Sequence, residues 1–196
     1  MIKKKIKCVR FEKRIAIFLD RDGTLNKAYI KKGFPISPAT FNEFKILKGV
    51  KKSIKKLKKL NFLCILITNQ PDVPRGKTKK DTVIKMNSYV KKKVDLDDMF
   101  VCYHDDNHNC TCRKPKSGLL VRASKKWKIN LTKSYMIGDR WKDILAGKKV
   151  GCKTILINNN YKNDKKVKAD FTFKNLLEAA NKIEKMTQDK TKKFIG

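Results

Sequence analysis

The apolar residues of this chain fall into short runs that end at polar or turn-forming residues. Five such runs occupy residues 15–19, 62–67, 100–103, 134–137 and 154–157. They are apolar at successive rather than alternate positions, which is typical of parallel strands buried on both faces. The pattern therefore predicts five buried strands, of which 100–103 is the least regular.

Between these runs, apolar residues recur at helical spacing, with lysine filling most other positions. The predicted helices span 50–60, 83–94, 119–127, 141–148 and 176–183. Strands alternating with helices predict an α/β fold with a doubly wound, Rossmann-like parallel sheet in three layers. We expect one domain over 15–185, flanked by basic and weakly structured segments at 1–14 and 186–196.

Charge is the most unusual feature of the composition. The chain has 196 residues and a formal charge of +32, but it contains 43 Lys and only 7 Arg. Because planar recognition of bases and phosphates favours Arg, and the Lys residues are spread along the whole chain, we expect a solvated basic surface and no nucleic-acid partner. No apolar run approaches the ~18 residues of a membrane helix. We expect a cytoplasmic protein without membrane contact, acting as a monomer on a small anionic substrate.

Three of the six cysteines lie in one short polar segment together with the two histidines. Cys102-x-His104 and Cys110-x-Cys112 form two pairs of potential ligands, which indicates a metal site rather than a disulfide framework. Three thiolates and one imidazole form a closed tetrahedral Zn²⁺ site of the structural type. His108 is an alternative fourth ligand.

Polar residues follow the ends of three predicted strands. Asp20 and Asp22 follow the first, Thr68 the second, and Asp139 the fourth. Because ligands bind beyond the carboxyl ends of the strands in an open parallel sheet, these side chains should converge. The two neighbouring carboxylates of Asp20 and Asp22 repel each other unless they bind a cation or share a proton, and Mg²⁺ with a phosphate group is the natural partner. An Asp-rich turn after the first strand, with the Asp22-Gly23 pair in it, is the alternative interpretation.

These residues also carry a family resemblance. Asp20-x-Asp22-Gly23-Thr24, Thr68, Lys114, and Gly138-Asp139 with a following Asp143 match, in order, the four motifs of the haloacid dehalogenase superfamily of phosphotransferases. The resemblance extends from about residue 15 to residue 157, which is most of the chain.

The resemblance implies a role for each motif. Asp20 is the expected nucleophile, which gives an aspartyl-phosphate, and Asp22 is the expected general acid and base. Thr68 is expected to hydrogen-bond the phosphoryl group and Lys114 to offset its negative charge. Asp139 is expected to bind Mg²⁺ together with Asp20 and the backbone carbonyl of Asp22.

The cysteine-rich segment narrows the resemblance to the small, zinc-containing branch without a large cap domain. That branch includes heptose bisphosphate phosphatases and histidinol-phosphate phosphatases. The likeness favours His104 over His108 as the fourth zinc ligand and implies a loop that holds Arg113 and Lys114 over the active site. It also implies a set of substrate-binding residues, namely Tyr29, Asn69, Gln70, Pro71, Arg113 and Arg140.

The sequence departs from the heptose enzymes at Pro71-Asp72-Val73 and at Arg140-Trp141. Both changes lie on the substrate side of the site, so the sequence does not predict the identity of the leaving group. The expected function is Mg²⁺-dependent hydrolysis of a sugar phosphate such as heptose bisphosphate. The alternatives are a histidinol-phosphate phosphatase, a nucleic-acid 3′-phosphatase and a non-enzymatic zinc-containing nucleic-acid-binding module. The last alternative leaves the carboxylates at the strand ends unexplained.

Overall fold

A computed structural model describes residues 13–162 and 165–195. The strands are β1 (Ile15–Leu19), β2 (Tyr29–Lys31), β3 (Phe34–Ile36), β4 (Phe62–Asn69), β5 (Asp98–Cys102), β6 (Tyr135–Gly138), β7 (Lys153–Ile157) and β8 (Phe171–Phe173). The α-helices are α1 (Val50–Lys59), α2 (Lys80–Val94), α3 (Gly118–Trp127), α4 (Trp141–Lys148) and α5 (Leu176–Ile195).

Six of these strands form one sheet in the order β5-β4-β1-β6-β7-β8, and every neighbouring pair is parallel. The predicted α/β fold is therefore confirmed. All five predicted strands and all five predicted helices are present. Their ends shift by three residues or fewer, except that the last helix extends from its predicted end at 183 to Ile195. The order places β1 at the centre, so residues that follow β1, β4 and β6 meet at one edge.

The sheet carries an apolar core on each face. Alternate residues of β1 point to opposite faces: Ile17 and Leu19 join the core beneath α1, α2 and α5, whereas Ala16 and Phe18 join the core beneath α3 and α4. Both sets are fully buried. This explains why the strands are apolar at successive positions, and it confirms the three-layer arrangement.

The structure adds three elements that the hydrophobic pattern did not reveal. β2 and β3 form an antiparallel hairpin over the carboxyl edge of the sheet, and β8 forms an edge strand. All three strands are only three residues long, which is too short for a periodic signal. Among the described residues, the hairpin is the only structure between Asn26 and Phe41, so no large cap domain is inserted there.

The ends of the chain differ from expectation in one respect. α5 continues to Ile195, so residues 186–195 are helical rather than weakly structured. Met186 packs against the core, and a helix that is already nucleated by packing extends at little cost. The predicted basic segment 1–14 lies almost wholly outside the described residues. Within the described ranges, no helix is both long and apolar enough to span a bilayer.

Candidate active site

Lys114 lies at the centre of a buried charge cluster at the carboxyl edge of the sheet. Its Nζ is 2.6 Å from Asp20 Oδ1 and 2.6 Å from Asp143 Oδ1, and it donates to the carbonyl oxygen of Ile67 at 2.8 Å. Lys114 itself is 2 % exposed. One ammonium group thus joins residues from three of the four motifs and the backbone at the end of β4, as expected for residues at adjacent strand ends.

Three carboxylates share this space, those of Asp20, Asp139 and Asp143, with donor atoms within 4.8 Å of one another. Burial, with repulsion from Asp143 and Asp22, raises the pKa of Asp20 to about 6 although Lys114 opposes the shift. Burial and the charge of Asp20 also raise the pKa of Asp139 well above its usual value. One ammonium cannot balance three carboxylates, so the cluster is short of positive charge.

The oxygens of these carboxylates are not equally engaged. Asp143 uses both of its oxygens, because Oδ2 accepts from the backbone N–H of Arg140 at the start of α4 and Oδ1 meets Lys114. Asp139 Oδ1 is buried and has no hydrogen-bond partner among the described residues. An unpartnered buried carboxylate oxygen beside a charge deficit fits a divalent cation. Asp143 positions Lys114, a role that the sequence analysis left unassigned although Asp143 belonged to the fourth motif.

Two glycines are required for this close packing. Gly23 has φ +84°, and a Cβ there would lie 1.9 Å from Asp139 Oδ2. A Cβ on Gly138 would lie 2.3 Å from the carboxyl carbon of Asp143. Neither position accommodates a side chain, which is a physical reason for glycine in both motifs.

Asp22 belongs to a separate hydrogen-bond network. Its carboxylate accepts from Arg21, Asn26, Gln70 and Ser37 at 2.9–3.1 Å. Although burial opposes ionisation, the Arg21 guanidinium and these amides hold the pKa of Asp22 below its usual value. The structure therefore holds Asp22 ionised and fixed in orientation.

The last residues of β4 support both networks. The hydroxyl of Thr68 accepts from the Gln70 amide at 2.9 Å, which leaves its own hydrogen for another acceptor. The Asn69 side chain brackets the backbone of Lys114, donating to its carbonyl at 3.0 Å and accepting from its N–H at 3.1 Å.

Above the carboxylates lies a cleft of about 580 Å³ between the β2–β3 hairpin, the loop after β4 and the start of α4. Of the predicted substrate-binding residues, Asn69, Pro71, Arg113 and Arg140 line it. Tyr29 and Gln70 do not. The Tyr29 hydroxyl donates to the backbone carbonyl of Glu43, and Gln70 is 1 % exposed, turned towards Asp22. Both side chains contact protein groups rather than the cleft.

The rim of the cleft is basic. Six cationic side chains line it, namely Lys31, Arg75, Lys77, Arg113, Arg140 and Lys142. Arg75 and Arg113 both bind the carboxylate of Asp106, at 3.0 and 2.9 Å, and Arg113 also donates to the carbonyl oxygen of His104. Burial and the neighbouring guanidinium groups lower the pKa of Lys142. Sequence reasoning identified Arg113 and Arg140 as members of this rim but missed the other four, Lys31, Arg75, Lys77 and Lys142.

The four predicted zinc donors form a compact cluster beside the rim. The sulfur atoms of Cys102, Cys110 and Cys112 lie 3.2–3.8 Å apart, and His104 Nδ1 lies 3.6 Å from Cys102 Sγ and 3.3 Å from Cys112 Sγ. Zn–S bonds of about 2.3 Å place the corners of a tetrahedron about 3.8 Å apart, so a metal ion fits. His108 is outside the cluster, where its ring accepts from the backbone N–H of Asp105.

Tyr161 and Asn159 join the site from the loop after β7, and nothing in the sequence pattern singled them out. The Tyr161 hydroxyl lies 2.6 Å from Asp139 Oδ2, and the Asn159 amide donates to Tyr161 and to the backbone carbonyl of Gly23. Burial and the adjacent Asp139 raise the pKa of the Tyr161 hydroxyl. The hydroxyl therefore stays protonated.

Comparison with known proteins identifies the relatives of this chain. A family model described as HAD-hydrolase-like matches residues 111–179. The D-glycero-beta-D-manno-heptose-1,7-bisphosphate 7-phosphatase of Haemophilus influenzae is 38% identical over 143 residues, which cover 67% of this chain and 74% of that protein. The D-glycero-alpha-D-manno-heptose-1,7-bisphosphate 7-phosphatase of Campylobacter jejuni is 31% identical over 175 residues, which cover 85% of this chain and 94% of that protein.

Among solved structures, the D,D-heptose 1.7-bisphosphate phosphatase from B. bronchiseptica, crystallised with magnesium and phosphate, superposes with a TM-score of 0.76. It is 23% identical, and the match covers 88% of this chain and 99% of that chain. This likeness supports the fold.

Proposed function

Because the chain belongs to the haloacid dehalogenase-like phosphatase family, we propose that it removes the 7-phosphate of D-glycero-D-manno-heptose 1,7-bisphosphate in a Mg²⁺-dependent reaction. The observation that supports this substrate is a cleft whose floor and rim differ in charge. Carboxylates and one lysine form its floor, and six cationic side chains form its rim. A substrate with two anionic groups fits this arrangement, because its reacting phosphate can lie at the floor while the second group binds the rim.

At the floor, Asp20 attacks phosphorus and forms an aspartyl-phosphate while the bond to the sugar oxygen breaks. Lys114, 2.6 Å from Asp20, fixes the orientation of the carboxylate and offsets charge as the phosphoryl group arrives. Thr68 donates its hydroxyl hydrogen to a phosphoryl oxygen. Asp143 keeps the Lys114 ammonium over the site.

Asp22 handles the protons. An arriving phosphate dianion raises the pKa of a nearby carboxyl, which opposes the influence of Arg21 and favours uptake of a proton by Asp22. Asp22 gives that proton to the leaving sugar oxygen and, once ionised again, accepts one from the water that hydrolyses the intermediate. The network around Asp22 suits this second step, because it stabilises the ionised form.

The residues present fit both expected metals. Asp139 Oδ1, Asp20 and the backbone carbonyl of Asp22 are the proposed Mg²⁺ ligands. This set is supported by Asp139 Oδ1, for which the described part of the chain offers no hydrogen-bond partner. When bound, Mg²⁺ neutralises negative charge on the phosphoryl oxygens. Zn²⁺ is the proposed occupant of the Cys102–His104–Cys110–Cys112 cluster. Burial raises the pKa of the Cys102 thiol to about 12, so a strongly thiophilic cation is needed to hold it as a thiolate.

The zinc site has a positioning role in this proposal. All four donors are protein side chains, so the metal keeps no open position for chemistry. Arg113 and Lys114 directly follow Cys112, and Arg113 also bonds back to the His104 carbonyl. A metal-bound loop holds Arg113 on the rim while Lys114 stays on the floor.

The basic rim also distinguishes the candidate substrates. Histidinol phosphate has no second phosphate and carries an ammonium group at neutral pH, which the excess of cations on the rim repels. The second phosphate of a heptose bisphosphate is attracted to the same groups. A cleft of about 580 Å³ suits a small metabolite rather than a polymer end, which disfavours a nucleic-acid 3′-phosphatase.

The experiment is a comparison of phosphate release, by kcat/KM, from both anomers of heptose 1,7-bisphosphate and from histidinol phosphate. We expect the bisphosphate to be preferred and the 1-phosphate to be the product. Asp20→Asn should be inactive, and Asp189→Asn, an exposed change on α5, serves as the matched control. Activity of Asp20→Asn at the wild-type level would contradict the mechanism, and a preference for histidinol phosphate would contradict the substrate.

A further inference from the structure

The loop after β7 reaches the proposed magnesium ligand through a directed chain of hydrogen bonds. The Asn159 amide donates to the backbone carbonyl of Gly23 at 2.9 Å and to the hydroxyl oxygen of Tyr161 at 2.9 Å. Tyr161 then lies 2.6 Å from Asp139 Oδ2. Because Tyr161 accepts from Asn159, its single hydroxyl hydrogen is left for Asp139.

This contact makes the two oxygens of Asp139 unequal. Oδ2 is occupied by Tyr161, whereas Oδ1 is buried without a hydrogen-bond partner among the residues that the structure describes. A free carboxylate can rotate and bind a cation with one oxygen or with both. With one oxygen held, Asp139 presents a single oxygen in a fixed direction.

We infer that Tyr161, oriented by Asn159, is a positioning residue that restricts Asp139 to binding Mg²⁺ through Oδ1 alone. The inference rests on the magnesium site of the proposed function. Mg²⁺ demands near-ideal octahedral geometry, so a ligand limited to one oxygen suits it better than a bidentate carboxylate. Hydrogen bonds that orient a metal ligand commonly contribute 10- to 100-fold to metal affinity.

The local packing supports a defined rather than accidental contact. A Cβ on Gly23 would lie 2.6 Å from the Tyr161 hydroxyl as well as 1.9 Å from Asp139 Oδ2. Gly23 therefore leaves the space in which the tyrosine and the aspartate meet. Asn159 ties this arrangement to the turn that follows the nucleophile, so the loop after β7 and the first motif are held together.

The test is calorimetric titration of the full-length protein with Mg²⁺ alone, without substrate. Tyr161→Phe removes only the hydroxyl, and we expect the Mg²⁺ dissociation constant to rise about 10- to 100-fold. Tyr135→Phe is the matched control, because Tyr135 lies on the strand that leads to Asp139 but at its opposite end. Its Mg²⁺ affinity should stay within about twofold of the wild type.

Asn159→Ala tests the chain of hydrogen bonds. It should weaken Mg²⁺ binding in the same direction, and its effect should largely disappear in a Tyr161→Phe background, because Asn159 reaches Asp139 through the tyrosine. Circular dichroism and thermal melting establish that each variant is folded before titration.

The outcomes separate this inference from the proposed function. If folded Tyr161→Phe binds Mg²⁺ as the wild type does, even with a lower melting temperature, the tyrosine is merely structural and the inference is overturned. If the wild-type protein binds no Mg²⁺, the magnesium site of the proposed function is wrong and the inference fails with it.

Discussion

Replacing Lys114 with methionine tests the charge balance on which the proposed site depends. The substitution keeps most of the side-chain volume but removes the ammonium that lies 2.6 Å from both Asp20 and Asp143. Breaking a buried ion pair by removing one partner costs about 3–5 kcal/mol. In a chain of this size we expect a fall in melting temperature of about 10 °C.

The same substitution should also slow the reaction. Loss of a preorganised cation at a phosphoryl-transfer site lowers kcat by about 10²- to 10³-fold. Mg²⁺ should raise the melting temperature of Lys114→Met by more than that of the wild type, because the divalent cation then replaces charge that the variant lacks. Differential scanning fluorimetry with and without Mg²⁺, together with a phosphate-release assay, measures both effects.

Lys125→Met, an exposed change on α3, is the matched control and should change neither quantity. Wild-type kcat in Lys114→Met would refute the assignment of Lys114 to charge stabilisation. A melting temperature equal to that of the wild type would show that the buried carboxylates are neutral in the folded protein, which contradicts the charge deficit.

Two further predictions concern the zinc cluster and the far end of the sheet. Cys112→Ser should remove most of the bound zinc, as measured by mass spectrometry of metals. It should also raise KM more than it lowers kcat, because the loop no longer fixes Arg113. Unchanged zinc content and KM would contradict the proposed zinc site. At Asp98, hydrogen bonds from Lys126 and Trp127 outweigh burial and lower the pKa of the carboxyl below 3.8. Since a lowered pKa stabilises the fold only while the group is ionised, Asp98→Asn should cost about 1–2 kcal/mol at pH 7 and less as the pH falls below about 4. Urea unfolding at several pH values measures this, and a cost that does not vary with pH would contradict it.

The agreement between sequence and fold has a clear physical basis. The buried strands are apolar on both faces because helices cover both sides of the sheet, and this pattern is visible in the sequence. The parallel arrangement then predicted that residues at the carboxyl ends of β1, β4 and β6 meet at one edge, as Asp20, Thr68 and Asp139 do. The compact donor cluster of the zinc loop was also predictable, because all four donors lie within eleven residues of sequence.

The elements that the sequence did not reveal are those whose contacts are long-range. β8 and the β2–β3 hairpin are too short for periodicity, and α5 extends beyond 185 because Met186 packs on the core. Gln70 and Tyr29 lie in the segments expected to line the substrate pocket, but their side chains are satisfied by Asp22 and by the Glu43 carbonyl. Which way a loop side chain turns depends on partners that are distant in sequence.

The sequence by itself therefore determined five strands of the sheet, the family and the chemical types gathered at its carboxyl edge, because each is encoded in local periodicity or in a short motif. Only the tertiary structure decided which partner each of those groups contacts. In the structure, Asp143 pairs with Lys114 and Tyr161 binds one oxygen of Asp139, whereas the other oxygen has no hydrogen-bond partner among the described residues. Hydrogen bonds and ion pairs across more than twenty residues of chain depend on how the loops pack, and no local pattern records that packing.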